Sequence, residues 1–297
     1  MTTRVITYPL KSSCKGRITT RTLLIELLLF NRFHSASVFK IVEIVVCLME
    51  AKGCDINQGD SMGNTPLGLA ACYGNEEAME WLLRQDDTKV NEPNEGGQTP
   101  LWLAARNGHE EVVKILLRRG DVDPNIQDNE GRTPLGCAAQ NGHAGVVKIL
   151  LGRVNIEPER PDHAGQTPLW NAAANGHSGV VELLLGQAGV DPNAHDNRGQ
   201  TPLLCAAING NTEVVELLLG RAGVDPNAYD NRGRTSLLYA AQNGHARMVE
   251  ILLGRSDIVL NIQDNEGRTP YSWACGNGHV RVMQILLGRD DVDINLC

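Results

Sequence analysis

The chain has 297 residues, of which 42% are hydrophobic and 21% charged, and this balance excludes a disordered chain because it supplies a buried core. The formal net charge of −8 repels phosphate backbones, so we expect no nucleic acid partner. No apolar run approaches the roughly 18 to 20 residues that a membrane-spanning helix needs, so we expect no membrane partner either.

Residues 1–37 form a basic segment that differs from the rest of the chain. The segment carries six basic residues against the single acid Glu26, a local charge of +5 that leaves −13 for the remainder. We interpret it as a cap or as a poorly ordered tail. A mitochondrial presequence is one alternative, because such sequences contain Arg, Ser and Thr and few acids, and a misassigned start is the other.

Residues 38–62 are interpreted as half of a unit that recurs further along the chain. Shifted by 34 residues, Ile44, Val45 and Leu48 fall on the positions of an apolar helix, and Asn57 falls in the loop after it. The full unit then recurs seven times over residues 63–297, each copy marked by a glycine 34 residues after the last: Gly63, Gly97, Gly131, Gly165, Gly199, Gly233 and Gly267. Such a constant period indicates a repeat architecture rather than a closed globule.

Each unit predicts two helices and a projecting loop. Threonine two residues after each glycine, followed by proline in six copies, predicts a helix start, because threonine caps the free amides and proline presets φ. An Asn-Gly pair in most copies predicts the end of that helix, and a second apolar stripe such as Val112, Val113 and Leu116 predicts another. A D-x-x-G stretch then predicts a hairpin-like turn.

The pattern G-x-T-P-L-x-x-A-A-x-x-G-H-x-x-V-V-x-x-L-L of Gly97 to Leu117 resembles the ankyrin repeat. The resemblance implies an all-α repeat solenoid of helix-turn-helix units with projecting β-hairpin loops, and a concave binding face made of hairpin tips and first helices. This chain departs from the family in its period of 34 rather than 33. It also lacks the histidine that follows Thr-Pro-Leu, and Trp102 and Trp170 occupy two of the vacated positions.

The residues that could carry chemistry recur at fixed places and are interpreted as structural. The histidines after Asn-Gly lie one per unit, about 10 Å apart at the helix-packing distance, too far to share a zinc ion. The aspartates of D-x-x-G form turns. The eight cysteines form no C-x-x-C pair, which predicts reduced thiols in the cytoplasm, with the nucleus as an alternative. We therefore expect no catalytic, cofactor or metal site.

Residues that vary between copies at exposed positions are free to carry specificity, and Trp, Tyr and Arg are enriched at binding hot spots. The candidates for partner binding are Trp102, Arg132, Trp170, Asn171, His195, Arg198, Tyr229, Arg232, Arg234, Tyr239 and Trp273. For the two tryptophans at the vacated histidine position, packing is an equal alternative. The expected function is a monomeric, non-enzymatic scaffold that binds a protein partner. The alternative is the ligand-sensing segment of a larger NACHT/STAND-type signalling protein, since the array is also similar to ankyrin arrays of fungal signalling proteins.

Overall fold

The computed structural model describes residues 55 to 294. The basic segment 1–37 and most of the half repeat 38–62 lie outside these residues. The described part contains fourteen α-helices in seven pairs. They are α1 Pro66–Tyr73, α2 Glu76–Leu83, α3 Pro100–Asn107, α4 Glu110–Leu117, α5 Pro134–Gln140, α6 Ala144–Leu151, α7 Pro168–Ala174, α8 Ser178–Leu185, α9 Pro202–Asn209, α10 Thr212–Leu219, α11 Ser236–Gln242, α12 Ala246–Leu253, α13 Pro270–Gly276 and α14 Val280–Leu287.

The first helix of every pair begins as the Thr-Pro signature predicts. Thr99, for example, accepts a hydrogen bond from the backbone N–H of Trp102 at 3.2 Å, and Pro100 fills the first helical position. The same cap recurs on all seven odd-numbered helices, and only α11 has serine, Ser236, in place of proline. The cap satisfies an otherwise free amide, so each helix starts at a position that its own sequence fixes.

The helices form two layers that run the length of the stack. Each odd-numbered helix packs against the odd-numbered helix of the next unit, and each even-numbered helix packs against the next even-numbered one. Alanine pairs such as Ala138 and Ala139 are fully buried between the odd-numbered helices, where small side chains allow close approach. The buried side chains form one continuous core from Leu67 to Leu286. This arrangement confirms the predicted all-α repeat solenoid.

The loops between units are tight turns. In one of them the Asp196 amide donates to the Gln200 carbonyl at 3.1 Å, and Gly199 adopts a φ of 79° that favours glycine. Among residues 55–294 the only isolated β-bridge joins Tyr229 to Thr235, so the hairpin prediction reduces to turns with a single bridge. Neighbouring turns are hydrogen-bonded to one another, as in the bond of 2.9 Å from the Asn231 amide to the Arg198 carbonyl.

A second row of contacts, here called the asparagine ladder, joins the loops that follow the even-numbered helices. The side-chain amide of Asn125 donates to the backbone carbonyl of Asn155 at 2.7 Å and accepts from the Glu157 backbone N–H at 3.0 Å. The same two bonds recur for Asn57, Asn91, Asn193, Asn227 and Asn261. Glu159 occupies the equivalent position between Asn125 and Asn193 and cannot supply the amide donor.

Candidate functional site

The turns and the odd-numbered helices share one surface, here called the turn-side face. At its centre lies an open groove of about 500 Å³ between two neighbouring turns and helices α5 and α7. Its lining includes Glu130, Arg132, Gln140, His163 and Asn171. The sequence candidates Arg132 and Asn171 therefore lie in one depression. Groups of both charge signs line it, which suits hydrogen-bonded contact with a polar chain rather than burial of an apolar ligand.

Trp102 is 1% exposed and belongs to the core. Its indole N–H donates to the Arg132 carbonyl of the next unit at 3.1 Å. The guanidinium groups of Arg106 and Arg132 lie over its ring, with their central carbons 5.6 and 5.4 Å from the ring centroid. This burial favours packing, the alternative to partner binding for this residue, because almost none of the side chain is accessible.

Trp170 makes the same bond, from its indole N–H to the Gln200 carbonyl at 3.0 Å, but stays half-buried. The residues equivalent to Arg106 and Arg132 are here Ala174 and Gln200, which place no guanidinium over the ring. Asn171 beside it is 5% exposed, and its amide donates to the Thr167 carbonyl at 3.3 Å. Trp170 therefore offers an aromatic surface, while Asn171 contributes only an edge to the groove.

Four side chains from α11, α13 and the turns before them form a stack. Arg234 lies between two rings, with its central guanidinium carbon 5.6 Å from the Tyr239 centroid and 5.2 Å from the Trp273 centroid. Arg268 covers Trp273 at 3.8 Å. The structure thus brings together three sequence candidates, Arg234, Tyr239 and Trp273, as a cation–π stack.

Two buried aspartates accept hydrogen bonds from the aromatic side chains of this stack. The Tyr239 hydroxyl donates to Oδ2 of Asp230 at 2.6 Å, and burial together with this bond raises the pKa of the phenol. The Trp273 indole N–H donates to Oδ2 of Asp264 at 3.0 Å. Burial of Asp264 acts to raise its pKa, but the donors around it, the Arg268 backbone amide foremost, hold that pKa below its usual value. Nε of Arg234 is buried and has no hydrogen-bond partner among the described residues.

The turn tips differ in charge along the array. The tip position carries Glu130, Ala164, Arg198, Arg232 and Glu266 in successive units. Arg132 pairs with Glu130, and Arg268 pairs with Glu266, at 2.8 and 2.7 Å. Arg198 and Arg232, here called the tip arginines, are exposed and make no ion pair with any described residue. Tyr229 beside them is 67% exposed, and His195 is also exposed.

The recurrent histidines hold neighbouring units together. Nε2 of His109, His143, His177 and His279 lies 2.9 to 3.0 Å from a backbone carbonyl of the preceding unit. A carbonyl only accepts, so this nitrogen carries the proton. The structural interpretation of these four is confirmed. Residues 55–294 contain no group of three potential metal ligands and no helix long and apolar enough to cross a membrane.

Sequence reasoning missed three residues of the face: Arg106, Arg268 and the groove residue His163. Arg268 occupies the same position in its unit as the candidates Arg132 and Arg234, so comparison between units could have found it. His163 stands at the tip, next to the position that the tip arginines occupy in their units, so the same comparison could have found it. Arg106 covers Trp102 from helix α3, and only the contact between them reveals its part.

The paired helices, the constant period and the row of turns define the chain as a helical repeat solenoid. A family model for ankyrin repeats, described as containing three copies, matches residues 33–128, 85–162, 120–196, 159–230 and 221–296. The chain therefore belongs to the ankyrin repeat family. The crystal structure of the ankyrin repeat domain of Bcl-3, described as a unique member of the IkappaB protein family, is 30% identical with a TM-score of 0.66. The match covers 76% of this chain and 99% of that one, and no curated protein sequence matches.

Proposed function

We propose that this chain is a non-enzymatic scaffold that binds a protein partner through the turn-side face, as a monomer. The observation that carries the proposal is the exposure of Tyr229, 67%, on a face where the side chains shared by all units are buried. Aromatic side chains with this exposure, beside unpaired arginines, are typical of interface hot spots. Ankyrin repeats are in general protein interaction modules, which supports the same conclusion.

The thiol and carboxylate groups near this face are buried or held in structural hydrogen bonds, which supports binding without catalysis. Burial raises the pKa of the Cys137 thiol to about 12, so this group stays neutral and is a poor nucleophile at physiological pH. Asp230 and Asp264 accept bonds from their own turns and from ring donors. A ligand-sensing segment of a larger signalling protein would use the same face, so the experiment below applies to it as well.

Site-specific photo-cross-linking tests the proposal. A photoreactive phenylalanine analogue replaces Tyr229 in one variant and Val154 in a matched control, since both side chains are exposed and Val154 lies after helix α6, away from the turns. We expect the same discrete protein adduct in repeated cell extracts from position 229 and no such adduct from position 154. Equal labelling at both positions would contradict the proposed face, and light scattering of the purified chain checks the monomer.

A further inference from the structure

The tip arginines form a basic edge that ends abruptly on both sides. The equivalent tips before and after them are Ala164 and Glu266, and Glu266 is already paired with Arg268 at 2.7 Å. In turns with a glutamate at the tip, that glutamate pairs with an arginine of the same turn and the two charges cancel. Arg198 and Arg232 have no such pair, so two adjacent cations face solvent without an internal counter-ion in the described part of the chain.

A third cation lies directly behind this edge. The Arg234 side chain is only 12% exposed, and its nearest carboxylate oxygen, of Asp264, is 3.9 Å from Nε. Nε itself has no hydrogen-bond partner, although the rings of Tyr239 and Trp273 hold the group in place. A guanidinium fixed by two rings loses little conformational entropy when it binds an anion, and its fork matches a carboxylate.

The spacing of the edge matches an extended peptide. Backbone hydrogen bonds fix neighbouring tips to each other. The backbone N–H of Asn231 donates to the Arg198 carbonyl at 2.9 Å, and that of Asn265 donates to the Arg232 carbonyl at 3.0 Å. Stacked helices repeat about every 10 Å. An extended chain in the polyproline II conformation has three residues per turn and rises about 3.1 Å per residue, so side chains three residues apart share one face about 9 Å apart. On a peptide lying along the tips in this conformation, such side chains reach successive arginines.

We propose that this edge binds an extended acidic segment of a protein partner, in which carboxylates three residues apart pair with Arg198 and Arg232 and a neighbouring group contacts Arg234. The proposal rests on the proposed function and adds the chemistry of the partner. Charge complementarity carries it, because the two tip arginines have no ion-pair partner among the described residues. A nucleic acid strand is disfavoured, because a regular polyanion continuing past Arg232 meets Glu266, whose side chain is 66% exposed.

Fluorescence anisotropy with designed peptides tests the proposal on the full chain. The probe is a labelled unstructured peptide of Ser and Ala with glutamate at every third position. The controls are the same composition with the glutamates in one block and a version with glutamine throughout. We expect the evenly spaced peptide to bind more tightly than the block peptide, the glutamine peptide to show no binding, and affinity to fall as salt rises. Equal binding of the glutamine peptide, or tighter binding of a single-stranded oligonucleotide, would overturn the proposal.

Two double variants locate the binding. Arg198→Ala with Arg232→Ala removes the edge, and Arg153→Ala with Arg221→Ala removes two exposed arginines that follow helices α6 and α10. All four side chains lie outside the core, so circular dichroism should show the parent fold. We expect about tenfold weaker binding in the first variant and unchanged binding in the second. Equal losses in both would overturn the site. If the two variants lose binding equally but the cross-link from position 229 is still obtained, the proposed function stands without this site. If that cross-link is also absent, both proposals fail.

Discussion

Glu159 stands where six other loops of the ladder carry asparagine, and the substitution leaves a defect. Its Oε1 is buried without a hydrogen-bond partner. Burial raises the pKa of the carboxyl, although a hydrogen bond from the Asp191 backbone amide works in the opposite direction. In the other loops the asparagine amide donates to a carbonyl 30 residues further on, and an ionised carboxylate has no proton to donate.

Glu159→Asn is therefore expected to stabilise the array at pH 7 by about 1 kcal/mol, because it restores a bridging donor. Because the pKa of Glu159 is higher in the folded than in the unfolded state, protonation of this carboxyl stabilises the folded parent. This stabilisation is fully present below about pH 4 and is lost as pH rises through the folded pKa. The gain should thus be larger at pH 7 than at pH 4 in urea unfolding. Glu95→Gln, at an exposed turn, is the control, and a gain independent of pH would contradict the assignment.

Trp102 and Tyr229 test the division between packing and binding at single residues. Trp102→Ala should lower the stability by about 3 to 5 kcal/mol, because it empties a site that is 1% exposed. Tyr229→Ala should change it by no more than about 0.5 kcal/mol, because that ring is 67% exposed. Urea unfolding followed by circular dichroism measures both, and similar losses in the two variants would show that the aromatic positions are misassigned.

At the scale of the helix, α11 is the one odd-numbered helix of the described part without proline at its first position. Ser236 there is 1% exposed, and its hydroxyl has no hydrogen-bond partner. The equivalent backbone accepts proline in the six other units. Ser236→Pro should therefore raise stability by about 1 to 2 kcal/mol, through lower entropy of the unfolded chain and removal of an unpaired polar group.

Ser178→Pro is the matched control for this helix start. Ser178 also opens a helix, α8, but its amide donates to the Gly176 carbonyl at 3.1 Å, and proline would abolish that bond. Thermal unfolding of the two variants should shift in opposite directions from the parent. If both shift downward, the Thr-Pro start is not the stabilising feature that its recurrence indicates.

The helices could be predicted because each start and stop depends on local residues. Thr99 caps the backbone amide only three positions away, and Gly108 ends α3 in the left-handed region with φ of 77°. The state of the face could not be predicted in the same way. Trp102 is buried and Trp170 half-buried because Arg106 and Arg132 cover one ring, whereas Ala174 and Gln200 stand at the equivalent places. Such cover depends on neighbouring units, so a single-unit pattern does not contain it.

At the scale of the whole molecule, each unit contacts only its neighbours, so stability is a sum of units and interfaces. Leu184 in α8 is fully buried and lies in the layer that packs on α6 and α10. Losing its side chain opens a cavity at the interfaces with these two helices. In a closed globule the same cavity would weaken one cooperative unit, whereas in a stack it weakens the joint between two halves.

Leu184→Ala should therefore cost about 2 to 5 kcal/mol and separate unfolding into two stages. Hydrogen exchange should show lost protection in α6, α8 and α10 first, with α3 and α12 retaining more of theirs. Leu183→Ala in the same helix is the control, because Leu183 is only half-buried and faces an open groove on the outer side. Uniform loss of protection from α1 to α14 would indicate one cooperative body, and would contradict coupling that passes only between neighbours.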